Sequence, residues 1–148
     1  MNRYQEIIEL NNNSNLKYKI GEGNSNVLKE KNETFERINN YMSLDFYIPS
    51  LKERKQVIKF YGFPTDEDNI CLASYYTTLA EEDVFGIKVG TTLANAEEIL
   101  ISHGYLKNGD NFSNGVVHIK FNMLSTEKNV INNIEISLKS KYLGNRLY

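Results

Sequence analysis

Tryptophan is absent from the 148 residues, and cysteine occurs once, at Cys71. A single thiol excludes an intramolecular disulfide framework and any cysteine-rich zinc site. Only two histidines are present, His103 and His118. Without a carboxylate clustered beside them in the sequence they make a poor metal-ligand set, so no metal and no cofactor is expected. No run approaches the roughly 18 consecutive apolar residues of a membrane-spanning helix. The opening "MNRYQEIIEL" interrupts its apolar residues with acids, unlike a secretory signal. A cytoplasmic protein without a membrane span is the expectation. Gly21-Glu22-Gly23 is a lone G-x-G, lacking the rest of a dinucleotide fingerprint or a following Gly-Lys-Ser/Thr, and reads as a turn.

An overall basic footprint is missing too. The formal net charge is −2, and the middle of the chain is strongly acidic: residues 64–110 hold nine Asp and Glu against Lys88 and Lys107. Direct nucleic-acid binding is therefore not expected. The hydrophobic fraction of 41% and charged fraction of 24% are those of an ordinary folded domain. At this length the chain can bury a core without covalent staples.

What is present is mostly architectural. "SLKERKQVIKFYGFP" (50–64) and "TLANAEEILISHGYL" (92–106) align without a gap, 42 residues apart. Each opens on a hydroxyl residue, carries a branched aliphatic pair, and ends on Gly followed by an aromatic. Ser50 with Glu53 forms a capping box, and Thr92 is a hydroxyl cap. Gly62 and Gly104 suit the left-handed residue that ends a helix, which would bring Phe63 to Ile58 and Tyr105 to Leu100. Two helices with one start-and-stop grammar are thus predicted, and Asp68-Asn69 and Asp110-Asn111 echo each other beyond them.

Strands are predicted around these helices. "ICLASYYTT" (70–78) is one candidate. "VVHIKF" (116–121) alternates through Val117, Ile119 and Phe121, with His118 and Lys120 on the other face. Asn114-Gly115 before it is a hairpin signal. "VINNIEISL" alternates through Ile134, Ile136 and Leu138, with Glu135 and Ser137 outward. Nearer the N-terminus, Tyr4–Leu10 reads as a short helix using Tyr4, Ile7 and Ile8. Asn11–Asn15 reads as a breaker, "LKYKI" (16–20) as a strand, and "NVLKEKNETFERINNYM" as an amphipathic helix through Leu28, Phe35, Ile38 and Met42. The fold class is therefore α+β: a mostly antiparallel sheet with helices packed on one face. Residues 1–148 read as one domain, and the echo suggests related units over 44–85 and 86–138 behind an N-terminal extension, 1–43.

"GIKVGTTLANAEEILISHGY" (86–105) followed by a hairpin ending in "IEISL" resembles the beta-lactamase inhibitor protein-like repeat. The outer-membrane assembly lipoproteins of the small-protein-A kind share the pattern. The likeness rests on Gly86 and Gly90 flanking a short strand, then on a helix from Thr92 to Gly104 and a sheet. Ser50–Thr78 fits more loosely, with Leu44 and Ile48 where the flanking glycines would stand. The resemblance implies helices on one face of an antiparallel sheet, in proteins that are mostly binding modules or inhibitors rather than enzymes. It assigns no contact residue here.

No catalytic motif names a reaction. Cys71 sits in an apolar run and reads as a small core hydrophobe, His103 as a favourable charge at a helix C-terminus, and His118 as a solvated strand residue. Glu97-Glu98 and Glu81-Glu82-Asp83 are adjacent acids, which point apart on a helix and read as solvated. The expected function is non-enzymatic: an inhibitor, immunity or adaptor protein that binds a basic protein partner. The expected surface is an aromatic anchor with an acidic rim, drawn from Asp66, Glu67, Asp68, Tyr75, Tyr76, Glu81, Glu82 and Asp83, with one of the two tyrosines outward-facing. The alternatives are a small enzyme using Cys71 or a histidine, and a structural assembly subunit.

Overall fold

The computed structural model describes residues 5–21, 36–39, 43–47, 56–61 and 71–138. Among them are helix α1 (Gln5–Asn12), strands β1 (Glu36–Asn39), β2 (Ser43–Tyr47), β3 (Gln56–Tyr61) and β4 (Cys71–Thr77), helix α2 (Leu93–Ser102), and strands β5 (Leu106–Asn108), β6 (Asn111–Ser113), β7 (Val117–Leu124) and β8 (Glu127–Leu138). These strands form one sheet in the order β1-β2-β3-β4-β8-β7-β6-β5, with every pairing antiparallel. The chain is α+β, as predicted.

The register shows how alternation builds the two faces. Tyr75 of β4 stands opposite Ile136, which stands opposite Ile119, which stands opposite Phe112. All four are buried, with Thr77, Val117, Phe121, Ile134 and Leu138 on the same face. Against that face lie Ile7 and Leu10 of α1 and Ala96 and Leu100 of α2, all fully buried. Both helices therefore cover one side of the sheet. The opposite side carries Ser74, Tyr76, His118, Lys120, Asn122, Asn133, Glu135 and Ser137, half-buried or exposed.

The second predicted helix has the expected ends. Thr92 Oγ1 accepts from the Asn95 N–H at 3.3 Å. At the other end Gly104 has φ +86°. The Gly104 N–H donates to the Ile101 carbonyl and the Tyr105 N–H to that of Leu100, the paired bonds of a Schellman termination. The Asn114 side chain accepts from the N–H groups of Val116 and Val117, turning β6 into β7 beside Gly115 at φ +99°.

The first predicted helix is overturned. Gln56–Tyr61 is strand β3, paired with β2 on one side and β4 on the other. Val57, Ile58, Phe60 and Tyr61 are all strong strand formers. Pairing on both edges outweighs a capping signal and a terminal glycine. The sequence echo therefore does not use one structural unit twice. Ser50, Glu53, Gly62 and Phe63 lie outside the described residues, as do Leu44's counterpart Ile48 and Asp68-Asn69. The helix predicted over 26–42 is corrected likewise: Glu36–Asn39, with Ile38, is strand β1.

Residues 16–20 form no strand, yet their alternation holds: Tyr18 and Ile20 are buried while Lys17 and Lys19 are exposed. Their backbone is satisfied by side chains instead of a ladder. The Ile20 N–H donates to Asn11 Oδ1, and Asn11 Nδ2 donates back to the Ile20 carbonyl. Ile7, Leu10, Tyr18 and Ile20 thus belong to the hydrophobic core.

Between β4 and α2 the chain makes a two-residue hairpin. Val84 and Ile87 exchange both backbone bonds, at 3.0 and 2.8 Å, around Phe85 and Gly86 at φ +55° and +84°. Two positive φ values define a type I′ turn, where Asn-Gly is the usual pair. Phe85 takes the strained position. The short strand expected between Gly86 and Gly90 is reduced to the Val84–Ile87 bridge.

Candidate functional site

The expected aromatic anchor with an acidic rim divides on inspection. Tyr75 points into the core and is fully buried, so Tyr76 is the outward member, half-buried and opposite Glu135. Asp66, Glu67 and Asp68 lie outside the described residues. Glu81 is exposed and Asp83 half-exposed. Glu82 is not on the surface at all: it is 3% exposed.

The reason is a set of donors converging on its carboxylate. Oε2 accepts from the Tyr75 hydroxyl and, at 2.8 Å, from the Lys17 N–H. Oε1 accepts from Thr77 Oγ1 at 2.6 Å. A carboxylate is buried only where such bonds replace water. Thr77 Oγ1 in turn accepts from the Leu79 N–H, so the network fixes the turn after β4. Burial, then the Glu82 charge, hold the Tyr75 phenol well above its usual range. This cluster staples the segment around Lys17 to the sheet; it is not a partner-facing rim. The sequence signal that could have found it is Thr77, five residues before Glu82 on the inward parity of β4.

Charge on the helical side has a different source. α1 and α2 together carry Glu6, Glu9, Glu97 and Glu98 and no Lys or Arg. The loop with Glu81 and Asp83 is tied to the end of α1: the Asn15 N–H donates to the Asp83 carbonyl at 3.0 Å, and Asn15 Nδ2 donates to the Glu81 carbonyl at 2.9 Å. Asp83 Oδ1 accepts from the Gly86 N–H at 2.9 Å, closing the type I′ hairpin. Lys107 reaches Glu97 at 2.5 Å and offsets part of this charge.

At the seam between the helices, His103 caps α2 and its Nδ1 lies 3.4 Å from Glu9 Oε1. The Phe85 ring stacks on His103 at 4.2 Å between centroids and meets Tyr105 edge-on at 5.7 Å. His103 was expected at a helix C-terminus; its carboxylate partner, 94 residues away in sequence, was not legible. Tyr105 is buried, and its hydroxyl has no hydrogen-bond partner. Burial, then the charges of Glu9 and Glu6, push that phenol well above its usual range.

The open face holds a smaller polar network, in which Asn122 Nδ2 donates to Asn133 Oδ1 at 2.7 Å and to Glu135 Oε2 at 2.6 Å. His118, expected to be solvated, is half-buried on this face. Cys71 opens β4, and its side chain is outside the described set. Among the described residues, no group of three or more His, Cys, Asp or Glu could hold a metal ion, and no helix is long and apolar enough to cross a membrane.

Comparison with known protein families, with curated proteins and with solved structures found no match to this chain.

Proposed function

We propose that the protein is a non-enzymatic binding module, an inhibitor, immunity or adaptor protein, that engages a basic protein partner through its helical side. The observation that carries this reading is the charge of the two helices: four glutamates, no lysine and no arginine, with the Glu81–Asp83 loop bonded alongside α1. Even with Lys107 offsetting Glu97, an excess of one sign steers an oppositely charged partner and raises the association rate. The likeness of 86–138 to an inhibitor-type repeat supports the same reading.

The surface differs from the one expected from sequence, because Glu82 and Tyr75 serve the interior. The discriminating variant reverses only exposed acids, Glu81→Lys with Glu98→Lys. Once the partner has been captured from the native cell and identified, association should be several-fold slower with this variant, and its salt dependence flatter, while the thermal midpoint stays near that of the parent. An unchanged association rate with unchanged salt dependence would sink the acidic-face reading.

A further inference from the structure

We infer that Asn108, at the turn between β5 and β6, is a site of spontaneous deamidation, whereas the fold protects the other Asn-Gly pair of the chain. The dipeptide occurs twice, at Asn108-Gly109 and at Asn114-Gly115. Asparagine is chemically labile, and most so before glycine, whose nitrogen has no Cβ beside it to hinder approach.

The chemistry is a ring closure followed by a hydrolysis. The Gly109 backbone nitrogen gives up its proton and bonds to Cγ of Asn108, and the carboxamide nitrogen leaves as ammonia. Solvent water then opens the cyclic imide at either carbonyl. Opening at Cγ yields aspartate; opening at the backbone carbonyl yields isoaspartate, with the chain rerouted through Cβ. Nothing is oxidised or reduced, and one negative charge is gained.

The two pairs differ in what holds their reacting atoms. Asn108 and Gly109 are both exposed. Asn108 and Asn111 form the closing pair of β5 and β6, and Gly109 and Asp110 make the two-residue turn between them, with Gly109 at φ +63°. At the other pair both reactants are engaged. Asn114 is half-buried, and its Oδ1 accepts from the Val116 and Val117 N–H groups at 3.0 and 2.8 Å, which fixes the carboxamide. The Gly115 nitrogen, the attacking atom there, donates to Ser113 Oγ at 3.1 Å. A Cβ built at either glycine meets nothing within 4 Å, so hydrogen bonding and exposure distinguish the pairs, and space does not. Isoaspartate at 108 would lengthen the backbone at the end of an edge strand that has only three pairs to β6.

The test holds the whole chain in heavy-oxygen water at mildly alkaline pH, with a parallel sample unfolded in urea. Peptide mapping by mass spectrometry reads conversion and label uptake at each asparagine. In the native protein Asn108 should convert at least about tenfold faster than Asn114, because cyclisation at Asn114 must first break three hydrogen bonds. In urea the two rates should become comparable. Asn108→Gln must close a six-membered ring instead, and should lose the fast conversion while Asn114 behaves as in the parent. Ser113→Ala frees the Gly115 nitrogen and should speed conversion at Asn114. Equal native rates, Asn114 ahead of Asn108, or no label at native Asn108 over a period that converts the unfolded chain would each overturn the assignment.

Discussion

Phe85 sits where a side chain costs most and where its ring contributes most. The type I′ turn forces it to φ +55°, a conformation that asks about 1–2 kcal/mol of a residue bearing a Cβ. Its ring, stacked on His103 and edge-on to Tyr105, offsets that strain by packing. The two contributions separate cleanly. Phe85→Ala loses the ring and keeps the strain, and should destabilise by about 3 kcal/mol. Phe85→Gly loses the same ring but relieves the backbone, and should be about 1 kcal/mol more stable than the alanine variant in urea denaturation. Equal midpoints for the two would mean the turn is not strained. Glu82 makes the complementary point: an acid in an acidic run is buried because three donors, from Lys17, Tyr75 and Thr77, happen to converge on it.

Elements differ in how much of their structure is locally determined. The end of α2 is set within six residues, and Gly104 carries its left-handed turn. A Cβ built there meets nothing within 4 Å, so any cost of substitution is conformational. Gly104→Ala should therefore lower stability by about 1–2 kcal/mol without changing the fold, read as a shifted urea midpoint at constant slope. Elements of this kind were legible: α2, the Asn114-Gly115 turn, and the alternation of β7 and β8 all follow from cap, turn and period-two signals. α1 was legible in part: Ile7 faces inward as expected, but Leu10 and not Ile8 is its second buried residue, the helix runs through Asn11 and Asn12 where a breaker was read, and Tyr4 lies outside the described residues. Strand β3 was not, because Ser50, Glu53 and Gly62 spell a helix while Val57, Ile58, Phe60 and Tyr61 favour a strand, and only pairing with β2 and β4 decides between them. β1 (ERIN) has no strand signal of its own and depends on β2 for its pairing. The candidate site fared similarly: an acidic, partner-facing surface was an expectation from charge counting, but Glu82 is turned inward by one donor 65 residues away and two from β4.

At the scale of the molecule, the sheet separates a helix-covered side from an open polar one. Two of the phenols enclosed on the covered side, Tyr75 and Tyr105, have pKa values raised above the ordinary 10.0 by burial and by neighbouring carboxylates. The native state therefore holds their protons more tightly than the unfolded chain does. Their contribution to stability is fully present below the ordinary tyrosine value and is lost as pH rises from there toward the raised native values. Thermal midpoints should accordingly be insensitive to these groups at neutral pH and fall steadily above about pH 10. In a spectrophotometric titration, Tyr75→Phe and Tyr105→Phe should each remove absorbance that appears only with unfolding. Tyrosines titrating together near the ordinary value in a still-folded protein would contradict the buried assignments.

The staple around Lys17 also dictates an order of events. Asn15, Lys17 and the Phe85 N–H, bonded to Ser14, join positions separated by 66, 65 and 71 residues. During synthesis from the N-terminus, α1 and the residues after it leave the ribosome well before the hairpin that holds them. Their apolar partners on β7 and β8 come later still. The contacts of β5 to β8 are short in sequence and close cheaply, whereas those of the first helix demand a long loop. The segment around α1, although it precedes its partners in the chain, is thus the last of these pieces the core can accept, and until then Ile7, Leu10, Tyr18 and Ile20 travel uncovered.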